Sequence, residues 1–170
     1  MKSGGVGRSH LASGRVPGTT VGTHAMERFY PIGTPGQPWT DAEKSAWFEG
    51  RTIARSYRDD VRARLEALGD AFTVEQYGAL SLDPQMYPLF AVTFAHAGDD
   101  APWAVVTGGV HGYETSGVHG ALAFLESHAR DYADRLNLLV APCVSPWGYE
   151  IINRWNPKAV DPNRSFIADS

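Results

Sequence analysis

The sequence predicts an α/β protein, a three-layer mixed sheet with helices on both faces. Three observations carry that expectation. Two continuous apolar runs, "WAVVTGG" and "LNLLVAPC", have the composition of strands buried on both faces. The stretch between them is helical in pattern, so strand, helix and strand make a βαβ crossover with parallel strands. Two further strand-like runs come before them, which makes the sheet mixed.

In chain order, residues 1–25 are rich in Gly, Ser, Thr and Arg and lack periodicity, so they are expected to form a disordered tail. Met26 starts denser sequence and is the expected natural start, with one domain over 26–170. "PIGTPGQPW" is a Pro/Gly loop, and "TDAE" after it is a capping box in which Thr40 and Glu43 satisfy each other's amides. The spacing then predicts one amphipathic helix from Asp41. Trp47, Gly50, Ala54, Tyr57, Val61, Leu65 and Leu68 recur at intervals of three and four, and Gly69 supplies the stop. "FTVEQYGAL" and "YPLFAVTFA" predict a hairpin joined by the turn-rich "SLDPQMYP". After the third strand a helix is expected over about 115–136, with Val118, Leu122, Leu125, Ala129 and Tyr132 facing inward.

Composition excludes several classes of function. A formal net charge of -4 and a pI near 5.8 leave no basic footprint for nucleic acid, and no Lys/Arg block addresses a membrane surface. The single cysteine, Cys143, rules out an internal disulfide and reads as a buried thiol at a strand end. No apolar run is long enough for a signal peptide or a membrane span, so a cytoplasmic protein is expected.

In open α/β sheets, ligands collect beyond the carboxyl ends of the strands. Two loops there are rich in chemistry. "GGVHGYET" carries His111 and Glu114 among glycines that let the backbone turn tightly, with Glu114 at a helix N-terminus. Imidazole nitrogen with carboxylate oxygen suits zinc. "SPWGYEIINRWNPKAVDPNRSF" carries Arg154, Asn163 and Arg164, with Asp161 expected to orient an arginine or a backbone amide. A His/Glu pair facing arginines across one sheet edge describes a metal site beside an anion site.

These loops resemble the zinc carboxypeptidases, the carboxypeptidase A-like metallopeptidases. "GGVHGYET" is similar to that family's His-Gly-x-Glu zinc motif, and "SPWGYE" to its Asn-Pro-Asp-Gly-Tyr loop. "RWNPKAVDPNRSF" resembles its Arg-x-Asn and Asp-Leu-Asn-Arg-Asn-Phe segment. The similarity covers roughly 105–166, with Ser145, Trp147 and Pro162 departing from the pattern. It implies a carboxypeptidase-like fold and a zinc-dependent metallocarboxypeptidase that hydrolyses the C-terminal peptide bond of peptides. His111 and Glu114 would be zinc ligands, Arg154 would polarise the scissile carbonyl, and Asn163 and Arg164 would hold the substrate's free carboxylate. A guanidinium grips a carboxylate bidentately, which suits an exopeptidase.

The family's third zinc ligand and its general-base glutamate are expected beyond Ser170, so the chain reads as truncated at its C-terminal end, with half of its active site and little or no catalysis. Missing strands would leave a sheet edge that invites self-association. Two other readings stay open. One is an N-acyl amino acid deacylase resembling succinylglutamate desuccinylase or aspartoacylase, which acts on a small acylated amino acid. The other is a non-catalytic carboxylate-binding fragment.

Overall fold

Thr40 opens the first helix because its amide N–H finds the Glu43 carboxylate at 2.6 Å, the reciprocal arm expected of the capping box. The computed structural model describes residues 31–166, so the expected N-terminal tail lies outside the described residues. Helix α1 runs Asp41–Glu49 and stops at Gly50. The single long helix predicted from Asp41 to Leu68 is therefore wrong: residues 51–56 leave helical geometry, a π-helical turn spans Arg58–Arg62, and α2 covers Ala63–Glu66.

The reason for the break is tertiary. The amides of Ala54 and Arg55 donate to the Glu150 carbonyl at 2.8 and 3.1 Å, and the Tyr57 amide donates to the Glu150 carboxylate at 2.8 Å. Glu150 is buried, and the Tyr87 hydroxyl satisfies its second oxygen at 2.9 Å. A buried acid with its lone pairs filled thus takes the donors that a continuous helix would have used internally. Five of the seven predicted inward positions, Trp47, Tyr57, Val61, Leu65 and Leu68, are buried, whereas Gly50 and Ala54, at the break, are exposed; Gly69 ends the segment at φ 78°.

Four strands follow in one mixed sheet of order β1-β2-β4-β3: β1 Thr73–Ala79, β2 Pro88–Phe94, β3 Trp103–Thr107 and β4 Asn137–Ala141. The expected hairpin is β1 against β2, antiparallel with a register shift between Gln76 and Gly78. The expected crossover is β3, α3 (Thr115–Ser127) and β4, with Val105 opposite Leu139 in a parallel pair. A 3₁₀ turn over Ala129–Tyr132 replaces the last part of the predicted helix. Val118, Leu122, Leu125 and Ala129 are buried as predicted, packed with Val92, Phe94, Leu138 and Val140 of the sheet.

The expectation that "WAVVTGG" is buried on both faces fails for β3. It is an edge strand, and alternate residues point outward, with Trp103 53% and Val105 67% exposed. A continuous apolar run records what a strand is able to pack against, not whether a neighbour is present. Beyond β4, the short helix α4 (Pro146–Glu150) is wedged against α1 by aromatic contacts. Trp147 stacks on Phe48 at 5.5 Å and meets Trp47 edge-on at 6.0 Å. This packing fixes the root of the segment that carries Arg154.

Candidate metal and carboxylate site

The loops after β3 and β4 are zipped together before either reaches its functional side chains. Gly108 donates to Ala141 O at 2.9 Å, and its own carbonyl, with that of Gly109, accepts the amides of Val144 and Ser145 at 3.0 Å each. Two glycines make this approach feasible. Gly109 has φ 62°, and a Cβ there would meet Val118 Cγ2 at 2.5 Å. At Gly112 a Cβ would fall 1.7 Å from the carbonyl carbon of Gly148, so a side chain at 112 would force the two loops apart.

His111 stands between two carboxylates. Its Nδ1 faces Glu114 Oε1 at 2.9 Å and its Nε2 faces Asp161 Oδ1 at 2.8 Å. The residue is only 6% exposed. Burial opposes charge on the ring, yet hydrogen bonds to Glu114 and Asp161 raise its pKa above the ordinary 6.5. Both nitrogens donate at once only in the imidazolium form, the form that the two flanking carboxylates favour.

Asp161 is the hub. Besides the His111 contact, its Oδ1 accepts the Asn163 amide at 2.9 Å, and its Oδ2 accepts Nε–H and Nη2–H of Arg154 at 3.0 and 2.9 Å. The His111 hydrogen bond, with those from Arg154 and Asn163, outweighs desolvation and lowers its pKa to about 2. The expected role of Asp161, orienting an arginine or an amide, is met by both contacts, and it also orients the imidazole. That third contact was not read from the sequence, because 50 residues separate the two side chains.

Arg154 is held on its other side by Tyr113, whose phenol oxygen accepts Nη1–H at 3.0 Å. The Tyr113 ring lies nearly parallel to His111, with centroids 5.9 Å apart. His111, Asp161, Arg154 and Tyr113 therefore form a closed circuit that spans both loops. Asn163 and Arg164, in a 3₁₀ turn over Pro162–Arg164, are exposed, and among the described residues their side chains make no hydrogen bond or ion pair. Sequence reasoning missed Arg55 as well as Tyr113. Arg55 donates to Thr115 Oγ1 at 2.6 Å and to the Gly112 carbonyl at 3.1 Å, and lies 4.2 Å over the Tyr149 ring. Tyr113 is legible within its motif, whereas nothing local marks Arg55.

The donor set fits two positions of a zinc shell. Nδ1 of His111 and Oε1 of Glu114 are the right atom types. Their 2.9 Å separation is close to the roughly 3.3 Å between neighbouring donors of a tetrahedral zinc with bonds of about 2.0–2.1 Å. Asp161 is no third donor, since it occupies the opposite ring nitrogen. Among the described residues no group of three His, Cys, Asp or Glu gathers as a metal site. His119 packs between Arg64 and Tyr149, His96 lies against the Ala71 carbonyl, and His128 is exposed near Asp131. His10 and His24 lie outside the described residues. No described helix is long and apolar enough to cross a membrane.

No protein-family model and no curated protein matches the sequence. Solved structures do match the fold. A protein from Shewanella denitrificans OS217, provisionally named a metallopeptidase, is similar over 64% of this chain and 41% of its own, with TM-score 0.55 and 26% identity. Another so named, from Shewanella baltica OS155, matches over 65% and 39%, with TM-score 0.53 and 26% identity. A metallo-carboxypeptidase from Burkholderia cenocepacia matches over 66% and 33%, with TM-score 0.54 and 19% identity. The chain thus spans about two fifths of the length of the first two and a third of the last. Its fold is zinc carboxypeptidase-like.

Proposed function

We propose that this chain carries the metal and carboxylate-binding part of a zinc metallocarboxypeptidase site, one that hydrolyses the C-terminal peptide bond of peptides. The observation that carries the reading is the position of Asp161. One of its oxygens fixes His111 Nε2, which leaves Nδ1 turned to Glu114, and the other fixes the guanidinium of Arg154. A second carboxylate on the far nitrogen is the usual companion of a metal-ligating histidine, because it sets the tautomer and raises ligand basicity. The metallopeptidase and metallo-carboxypeptidase neighbours support the same reaction class.

His111 Nδ1 and Glu114 would hold the zinc, and the chemistry an ion supplies there is Lewis-acid polarisation of a carbonyl and of water. The chain's own residues do the rest. Arg154, with two nitrogens locked on Asp161, presents a preorganised cation where negative charge develops on the carbonyl oxygen. The side chains of Arg164 and Asn163, which make no hydrogen bond or ion pair among the described residues, would receive the terminal carboxylate, for which a planar guanidinium fork is the matched donor. A catalytic zinc centre takes three protein donors, one more than the described residues bring together.

The test is zinc loading of the purified chain followed by assay on peptides and on N-acyl amino acids. The expected result is uptake of one zinc, lost with a chelator and in His111→Ala, with at most very slow release of C-terminal residues from peptides. Release from N-acyl-aspartate or N-acyl-glutamate alone would make the protein a deacylase instead. Carboxylate binding that survives the chelator, with no turnover, would make it a binding module.

A further inference from the structure

Tyr113 lies between the two halves of the site, and its hydrogen bonding is one-sided. The phenol oxygen accepts from Arg154 Nη1 at 3.0 Å, while no acceptor for its own O–H is found among the described residues. A guanidinium hydrogen on one lone pair repels the hydroxyl proton, so that proton points away from Arg154. The adjacent cation also strengthens the phenol as a donor. The side chain is 42% exposed, so its outward proton faces open space rather than core. It is also well anchored. The Tyr113 amide donates to the Asn153 carbonyl at 3.2 Å, and the ring stacks on His111.

We propose that Tyr113 is a substrate-binding residue, donating its phenol O–H to the same substrate oxygen that Arg154 receives, so that the oxygen site has two donors from two different loops. The inference rests on the metallocarboxypeptidase reading and deepens it, since the ligand it defines is an acylated amino acid whose carbonyl or carboxylate oxygen accepts twice. Arg154 sets the direction of the phenol proton and thereby couples the two donors.

Hippurate, an acylated glycine with a free carboxylate, is a suitable probe, titrated by NMR into the zinc-loaded protein. Tyr113→Phe keeps the ring and its stacking and removes only the donor. A lost hydrogen bond to a charged group is worth roughly tenfold or more in affinity, so Tyr113→Phe should weaken hippurate binding about tenfold. Its zinc affinity, from competition with a chromophoric chelator, and its melting temperature should stay those of the wild type. In an Arg154→Gln background the same change should cost less than about twofold, the non-additivity expected of coupled residues. Unchanged or tighter binding by Tyr113→Phe overturns the proposal, as does a full tenfold loss in the Arg154→Gln background. A loss that tracks falling zinc affinity or melting temperature also overturns it, by making the role structural. Zinc-loaded wild type that binds no hippurate sinks the functional reading as well, which separates that failure from the failure of Tyr113 alone.

Discussion

At the scale of single residues, His111 would couple protonation to metal binding if it is the zinc ligand proposed above. Its pKa is raised above 6.5, so its charged interaction with Glu114 and Asp161 stabilises the fold fully below pH 6.5 and is lost as pH rises through the higher folded value. Asp161 works in the opposite sense. Its pKa falls from 3.8 to about 2, so its contribution is complete above about pH 4 and is lost as pH drops toward 2. On the zinc reading a proton and the ion would compete for His111 Nδ1, so zinc affinity should fall about tenfold per pH unit below the His111 pKa. Asp161→Asn removes the orienting carboxylate. It should weaken zinc binding by about 10–100-fold and lower the His111 pKa, measured by chelator competition and by NMR titration of the ring. An unchanged zinc affinity would show that the contact does not orient the ligand. Cys143 makes a simpler prediction. Burial pushes its thiol up to about 12, so alkylating reagents at pH 8 should leave it unmodified until the protein unfolds.

At the scale of elements, the turn between α4 and Arg154 carries visible strain. Ile152 is β-branched and sits at φ 52°, a region such residues avoid at a cost of about 1–2 kcal/mol. The strain buys placement: the next residue, Asn153, accepts the Tyr113 amide with its carbonyl and caps the Arg154 amide with its side chain at 2.7 Å. Ile152→Gly relieves the clash but adds freedom to the unfolded chain, so a net gain of about 0.5–1 kcal/mol is expected in chemical denaturation. A destabilised variant would mean that the Ile152 side chain contributes packing that outweighs its backbone cost. Such turns also explain what was legible in the sequence. The hairpin, the β3–α3–β4 crossover and the inward stripe from Tyr57 to Leu68 follow from local periodicity, which the structure keeps, whereas Gly50 and Ala54 of the same predicted stripe are exposed. The break at 51–56 does not follow from periodicity, because it depends on Glu150 about a hundred residues later. The same division holds in the site. His111, Glu114 and Arg154 announce themselves by type and spacing, whereas the Asp161 contact to His111 and the Arg55 brace exist only once distant loops meet.

At the scale of the whole molecule, the exposed side of β3 is the feature with the largest consequence. The strand "WAVVT" has no charge and no proline, and its outer backbone edge has no strand partner among the described residues. Natural proteins guard such edges with lysine, proline or a bulge, and β3 has none of these devices. Trp103 and Val105 add apolar side chains to the same edge, so burying it against a second copy removes both unpaired peptide groups and apolar surface from water. Self-association should therefore rise with concentration, detectable by sedimentation at up to about 100 μM, where exposed strand edges begin to associate. Val105→Lys places a charge at an exposed position in the middle of the strand and should shift the protein to monomer. Its melting temperature should change little, since the wild-type side chain is 67% exposed and contributes little core. Wild-type protein that stays monomeric throughout, or a Val105→Lys variant that associates as strongly, would show that the edge is not the contact. The loop that carries His111 follows directly from this strand, so pairing at β3 would also rigidify the turn that presents it, and zinc affinity should rise with dimer fraction if the two are coupled.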